Sequence, residues 1–246
     1  MNVVEERCLP DPSLSREEME AMQRNIAEAA VFDDAIDFDP DDIVSGEVLV
    51  AGVDQAFLDD RAVSAVVALR GEEVVERASA VTPLSIPYIP GLLAFREGDP
   101  IVAALENLDA DPDLLVFDGS GRIHFREAGI ATHVGVLFDT PAVGVAKNLL
   151  CGKPRQSVDS LPEGARVAIE ADDSMPATPN GETVGYAYQS RQYPNSTKIN
   201  PLYVSSGHRL SAKTAVDCVA ACGGEYKLPE PTRLADRYAD ELKVTL

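Results

Sequence analysis

The chain has no tryptophan, only four cysteines and three histidines in 246 residues, and just 6% of it is aromatic. No apolar run reaches the ~18 residues that a membrane-spanning helix needs, so no membrane partner is expected. The opening MNVVEERCLPDP lacks the basic-then-apolar pattern of a secretory signal, and a cytoplasmic location is the expectation. Cys8, Cys151, Cys218 and Cys222 form no CxxC pair and no Cys/His spacing suited to zinc. A disulfide framework is not expected at this length either. Basic charge is scarce, with 21 Lys and Arg against 41 Asp and Glu, a net charge of −20 and a pI near 4.4. At face value that excludes a nucleic-acid partner, because carboxylates repel phosphates.

The acidity has a physical setting that weakens this exclusion. Arginine outnumbers lysine fifteen to six, and the acidic residues run through the whole chain. At ~1 M salt the Debye length is about 3 Å, so surface carboxylates barely sense one another. Such a composition suits a salt-accumulating cytoplasm of the halophilic-archaeal kind. The charge is also uneven. Residues 1–46 hold 13 acids and 3 bases, a net −10, and the remaining 200 residues account for the other −10. Two windows contain no acid: Thr140–Val158, with Lys147, Lys153 and Arg155, and Thr183–Val216, with Arg191, Lys198, Arg209 and Lys213. The second also holds Tyr186, Tyr188, Tyr193 and Tyr203. Positive charge interleaved with aromatics suits a nucleic-acid surface, and a tyrosine-rich strand pair would give the same pattern.

Periodicity divides the chain into 1–46, a helix and acidic linker packing on the core, and 47–246, the main domain. Ser15-Arg16-Glu17-Glu18 has the form of a capping box, and a helix is expected to about Val31. The segment DDAIDFDPDD then serves as a linker. Val48–Phe57, Val63–Leu69 and Val74–Val81 read as three strands, the last two joined by a hairpin turn. A proline-punctuated loop, Pro83–Pro90, precedes a helical stretch from Gly91 to Leu108 with an expected break at Gly98-Asp99-Pro100. A short apolar strand ending at Asp118, a helix over Ile130–Phe138 and a strand over Ala142–Val145 make a βαβ unit. Strands over Arg166–Ala171, Val184–Ser190 and Leu202–Val204 and two closing helices complete the chain. The expected class is α/β: three antiparallel strands extended by parallel ones, flanked by helices, in the order of an RNase H-like core.

Asp54 is the sharpest feature. It lies in the apolar run VLVAGVDQAF, where a charge is costly unless paired or metal-bound. Asp118 ends the apolar strand DLLVFDGSG, and strand ends in α/β sheets are where sites gather. Glu97 follows on the next helix, in GLLAFREGD. Each alone is explained by a structural salt bridge, a turn or a solvated helix. Jointly, on this strand order, they form a candidate site for a hard divalent cation such as Mg²⁺. His208, in VSSGHR, is a candidate ligand or proton carrier.

The stretches VAGVDQAF (50–57), PYIPGLLAFRE (87–97), DLLVFDG (113–119), GIATHVGVLFDTPAVGVAK (129–147), NPLYVSSGHR (200–209) and LPEPTRLA (228–235) resemble the endonuclease V family of nucleic-acid repair enzymes. The resemblance implies an RNase H-like fold and an enzyme, a Mg²⁺-dependent endonuclease with Mn²⁺ as a substitute. It implies DNA containing deoxyinosine as partner and a cut at the second phosphodiester bond 3′ to the lesion; a monomer is expected. It assigns Asp54, Glu97 and Asp118 to the metal, His208 and Lys147 to the catalytic site, and Tyr88 to the gap left by a flipped base. Leu93 and Gly119 are implied as backbone lining of the base pocket. Ser120 departs from the DGHG or DGNG of many members. Inosine-containing RNA, a four-way junction and a non-catalytic binding role are the alternatives.

Overall fold

The computed structural model describes residues 1–193 and 199–245, so Lys198 of the second acid-free window lies outside the described residues. Helix α1 (Arg16–Ala29) starts at the capping box expected for it: Glu18 N donates to Ser15 Oγ at 3.3 Å, and Ser15 N to Glu18 Oε2 at 2.8 Å. The segment expected to be only a linker contains a second helix, α2 (Pro40–Ser45). Pro40 occupies its first turn, Asp39 N donates to Asp42 at 2.8 Å, and Gly46 ends it with φ +79°. These punctuation residues were visible in the sequence, but the density of aspartates masked them.

Strands β1 (Leu49–Leu58), β2 (Arg61–Arg70) and β3 (Glu73–Pro83) form the antiparallel meander. Helix α3 (Leu93–Glu106) follows and runs through the expected break, with Pro100 inside it. A mid-helix proline costs about 3 kcal/mol. Ile101, Ala104 and Leu105 behind it are fully buried, and each large apolar side chain returns roughly 1.5–3 kcal/mol, so packing outweighs the breaker. Strand β4 (Leu114–Asp118), helix α4 (Ile130–Phe138) and strand β5 (Ala142–Ala146) give the parallel βαβ unit. The short β6 (Lys153–Pro154) was not anticipated. Then come β7 (Arg166–Glu170), β8 (Thr183–Tyr188), β9 (Leu202–His208), α5 (Ala212–Ala221) and α6 (Glu230–Thr245).

All nine strands belong to one sheet in the order β3-β2-β1-β4-β5-β9-β8-β7-β6. The pairs β1/β4 and β4/β5 are parallel, and β5 leads into a second antiparallel run through β9, β8 and β7. Thus the parallel centre is flanked on both sides. Period-two alternation sends Leu49, Ala51 and Val53 to the face covered by α3, α4 and Ile26 of α1. Val50, Leu114 and Val116 point to the other face, with α5 and Ile43 of α2. The first 46 residues therefore contribute side chains to both faces. No helix among the described residues is long and apolar enough to cross a membrane.

Part of the pattern in the acid-free windows is structural. Tyr188 is buried, and Tyr186 and Tyr203 pack against core clusters. Arg155, Arg191, Arg209 and Lys213 pair with Glu170, Glu163, Asp139 and Asp217, all outside those windows. Most of the interleaving is therefore sheet core edged by ion pairs.

Candidate active site

The site is built at the C-terminal ends of β1 and β4. Val53 pairs with Phe117 in the parallel register, so Asp54 and Asp118 are the next residues on adjacent strands and share a side of the sheet. Helix α6 covers that side, where Ala56 packs on Ala239 and Tyr238. The helix lies against the strand at Gly52: a Cβ there would sit 2.1 Å from the carbonyl of Pro231. This close approach carries Asp236, on the next part of α6, to within hydrogen-bonding reach of Asp54. Glu97 approaches from α3 and senses the charge of Asp118.

The electrostatics of this cluster are uncompensated. Asp54 is 7% exposed, and its carboxyl is pushed up to about 8 by burial first, then by Asp118 and Asp236. The Gln55 amide, 2.8 Å from Oδ1, opposes this only in part. Burial likewise raises Glu97 to about 7, against the pull of Arg96. Besides Arg96, one cation makes direct contact: Lys147, just after β5, donates to Asp118 Oδ2 at 2.6 Å. Burial pulls the Lys147 ammonium down, but Asp118 outweighs it and holds the group above the ordinary lysine range. Among the described residues no three His, Cys, Asp or Glu side chains close into a ready-made cation cage. The donor set is nonetheless all hard oxygen, and two of its members hold their protons up to about pH 7 to 8 unless a cation favours the charged form.

Tyr88 stands on the loop between β3 and α3 with 66% of its surface exposed. The loop's feet are fixed. Leu84 N donates to Asp60 O at 2.8 Å, and Arg96 donates to the Ile86 carbonyl at 3.2 Å. The Gly91 carbonyl sits 2.9 Å from Gln23 Nε2, 3.1 Å from His124 Nε2 and 3.0 Å from Arg126 Nη2. Because the Arg126 amide donates to His124 Nδ1, Nε2 carries the proton toward Gly91. Leu93, half-buried, opens α3, and Gly119, also half-buried, follows Asp118 with its amide on Val145 O at 3.1 Å.

One expected residue is not brought in. His208 ends β9, which runs antiparallel to β5, and it pairs with Ala142 at the start of β5. Asp118 and Lys147 lie at the other end of that strand. His208 Nε2 meets Asp139 at 3.1 Å, and Nδ1 accepts from Val31 N at 3.2 Å. Burial holds its pKa below the ordinary imidazole range, against the pull of Asp139. Its position before a turn read as a site, but strand direction puts it at the opposite edge. Asp236 was the residue missed. The available signal was its place beside the buried stripe Thr232, Ala235 and Ala239, one step past the LPEPTRLA stretch.

The endonuclease V profile matches residues 34–237. The chain belongs to the endonuclease V family. It is 72% identical over 243 residues to the endonuclease V of Natronomonas pharaonis, a halophilic archaeon, covering 99% of this chain and 98% of that one. The crystal structure of the Streptomyces avermitilis endonuclease V superposes with a TM-score of 0.78 at 34% identity, over 94% of this chain and 95% of that one. The Ciona intestinalis endonuclease V, solved with a 24mer DNA containing an inosine followed by a ribo-adenosine, gives 0.74 at 27% identity, over 94% and 98%. The fold is thus RNase H-like and the protein an endonuclease, with the acidic composition of a halophilic archaeal member.

Proposed function

We propose that this endonuclease V cuts DNA strands carrying deoxyinosine, at the second phosphodiester bond 3′ to the lesion. The observation that carries the reading is the convergence of Asp54, Asp118, Asp236 and Glu97 at the ends of β1 and β4 with Lys147 beside them. The four carboxylates would hold Mg²⁺, or Mn²⁺ in its place. A hard divalent cation bound there supplies charge neutralisation at the phosphate and lowers the pKa of an attacking water.

The remaining parts follow from the chain's own residues. Asp54, placed between Asp118 and Asp236, is the central ligand. Lys147 neutralises Asp118 in the free enzyme and turns its ammonium to the scissile phosphate when substrate arrives. Tyr88, exposed on a loop with anchored feet, stacks into the gap left by the extruded base, a contact worth ~1–3 kcal/mol against an extrusion cost of a few. Leu93 and Gly119 line the base pocket between the Tyr88 loop and Asp118, where backbone groups read the O6 and N1–H edge of hypoxanthine. His208 takes no part. The inosine-containing DNA held by the Ciona relative supports the substrate class.

The test is a nicking assay in molar KCl with Mg²⁺. A duplex bearing one inosine should be cut two bonds 3′ to it, and the undamaged duplex left intact. A matched RNA strand and a four-way junction serve as competitors. Preference for either, or no Mg²⁺-dependent cut, refutes the reading.

A further inference from the structure

The profile match begins at residue 34, so helix α1 lies ahead of the residues that it covers. Gln23, in the middle of α1, is only 1% exposed, and a buried amide is costly unless it is hydrogen-bonded. Its partners belong to two distant segments. Nε2 donates to the Gly91 carbonyl at 2.9 Å and to the Ala128 carbonyl at 3.3 Å, and Oε1 accepts from Arg126 Nε at 2.7 Å. Gly91 stands between Tyr88 and Leu93, with φ +80°, and a Cβ there would meet Arg126 Nη2 at 3.0 Å. Donors from Gln23, His124 and Arg126 thus converge on a carbonyl oxygen with two lone pairs. Ala128 leads to the opposite wall of the pocket, because Gly129, next in the chain, donates to Gly121 O at 3.1 Å, close to Gly119. Apolar contacts run the same way. Met19, one turn before Gln23, clusters with Leu92 and Phe95, and Ile86 and Ile89, on either side of Tyr88, pack against that cluster.

We propose that α1 is a splint for base extrusion, with Gln23 as a positioning residue that ties the Tyr88 loop to the wall carrying Gly119. The inference rests on the endonuclease reading above and deepens it. Gln23 touches no substrate and acts through Gly91 and Arg126. Tyr88 is exposed, so it can hold a gap in the base stack only if its loop does not recoil. The foot of that loop is Gly91, whose left-handed backbone is a natural pivot, and the three donors on its carbonyl stop it turning. Gln23 contributes one of them, anchors the arginine that contributes another, and spans to Ala128 on the far side. Extrusion is most costly for a paired base and least costly for a mismatched or single-stranded one. A loosened splint should therefore be felt most by inosine opposite cytosine, less opposite thymine and least in a single strand.

The test uses full-length enzyme in molar KCl with Mg²⁺ and three substrates: inosine opposite cytosine, opposite thymine and in a single strand. Gln23→Met keeps the volume and the helix but removes all three polar contacts. Its kcat/KM should fall roughly tenfold opposite cytosine, about the size of a lost hydrogen bond or two, and by about threefold or less on the single strand. In a Tyr88→Ala background the same substitution should change the duplex rate by less than about twofold, because the splint then has no wedge to hold. A spectroscopic readout is independent of turnover. With Asp54→Ala enzyme, 2-aminopurine beside the inosine should brighten on binding as the stack opens, and adding Gln23→Met should diminish that brightening. The chain's lack of tryptophan keeps the background low. Circular dichroism on each variant checks the fold, and an unfolded Gln23→Met is replaced by Gln23→Leu with the same expectation. An equal loss on all three substrates, a full loss in the Tyr88→Ala background, or no loss at all overturns the proposal. A wild type that cuts no inosine strand overturns the reading beneath it, and the two failures are distinguishable.

Discussion

Two clusters of charged side chains lie at opposite ends of the same central strands, and they are wired in opposite ways. At the Ala142 end, His208, Asp139 and Arg209 satisfy one another, with Arg209 Nη2 on Asp139 Oδ2 at 2.7 Å and the Val31 amide on the free ring nitrogen. At the Asp118 end, three aspartates and Glu97 crowd together with one lysine between them. Both clusters are partly buried, so burial alone does not mark function. What separates them is whether the charges are balanced by the protein. The balanced end is a latch that fastens the acidic segment around Val31 and Asp34 to the turn before α5, where Asp34 also caps Ser211 at 2.7 Å. The unbalanced end stores a need for a cation and a phosphate.

The largest expected effect comes from breaking the unbalanced end. Asp54→Ala should lower Mg²⁺-dependent nicking by about 10²–10³-fold or more while raising the stability of the metal-free chain, because it removes a buried carboxyl with no cationic partner. Equal nicking by the variant in a single-turnover assay would sink the assignment. Next, Gly52→Ala should push α6 off β1 and cost roughly 1–3 kcal/mol in a denaturant titration, with a loss of nicking as Asp236 moves away from Asp54. An alanine variant as stable and as active as the parent would show that this close approach does not matter.

The two ends should also answer pH in opposite senses. In the metal-free folded chain Asp54 and Glu97 keep protons that the unfolded chain loses above about pH 4. That part of the stability is full below about pH 4 and is lost as pH rises through about 7 to 8. His208 is lowered, so its end is most stable above the ordinary imidazole pKa of about 6.5 and loses stability as pH falls below it. His124 and His133, both held at about 4 by burial, act in the same sense as His208. Each proton changes stability by at most about 1.4 kcal/mol per pH unit. Denaturant titrations across the neutral range should show Asp54→Asn flattening the alkaline fall and His208→Gln reducing the acid one. The reverse assignment would contradict the comparison.

The smallest effect is expected of the latch itself. His208→Gln should cost about 1 kcal/mol, one hydrogen-bonded partner, and leave kcat within about twofold. A large loss of kcat without loss of stability would return His208 to the site. Transfer from molar KCl to dilute buffer should loosen the latch first, since residues 1–46 carry half of the net −20 and lose their screening. Proteolysis near Val31 across a salt series would reveal it.

Much of this architecture was legible beforehand, and the exceptions have causes. Period-two alternation marked β1 to β3, and the punctuation around Asp118 and Ala142 marked the βαβ unit. Helix α2 was hidden because Asp39, Asp41 and Asp42 looked like linker charge when Asp39 and Asp42 were its caps. The break expected at Pro100 did not form, because local preference yields to the buried stripe behind it. Tyr188 looked like part of a binding surface until the sheet enclosed it, and Tyr186 and Tyr203 are half-buried against core clusters.

By itself the sequence determined most of the strands, the two central aspartates, the family and a composition suited to high salt, since each is written in local period, motif or composition. Only the tertiary structure decided which charged residues meet. Strand direction took His208 to the far edge, and the approach of α6 at Gly52 brought Asp236 to Asp54. Proximity across the chain depends on pairing and packing between distant elements, and no local pattern encodes it.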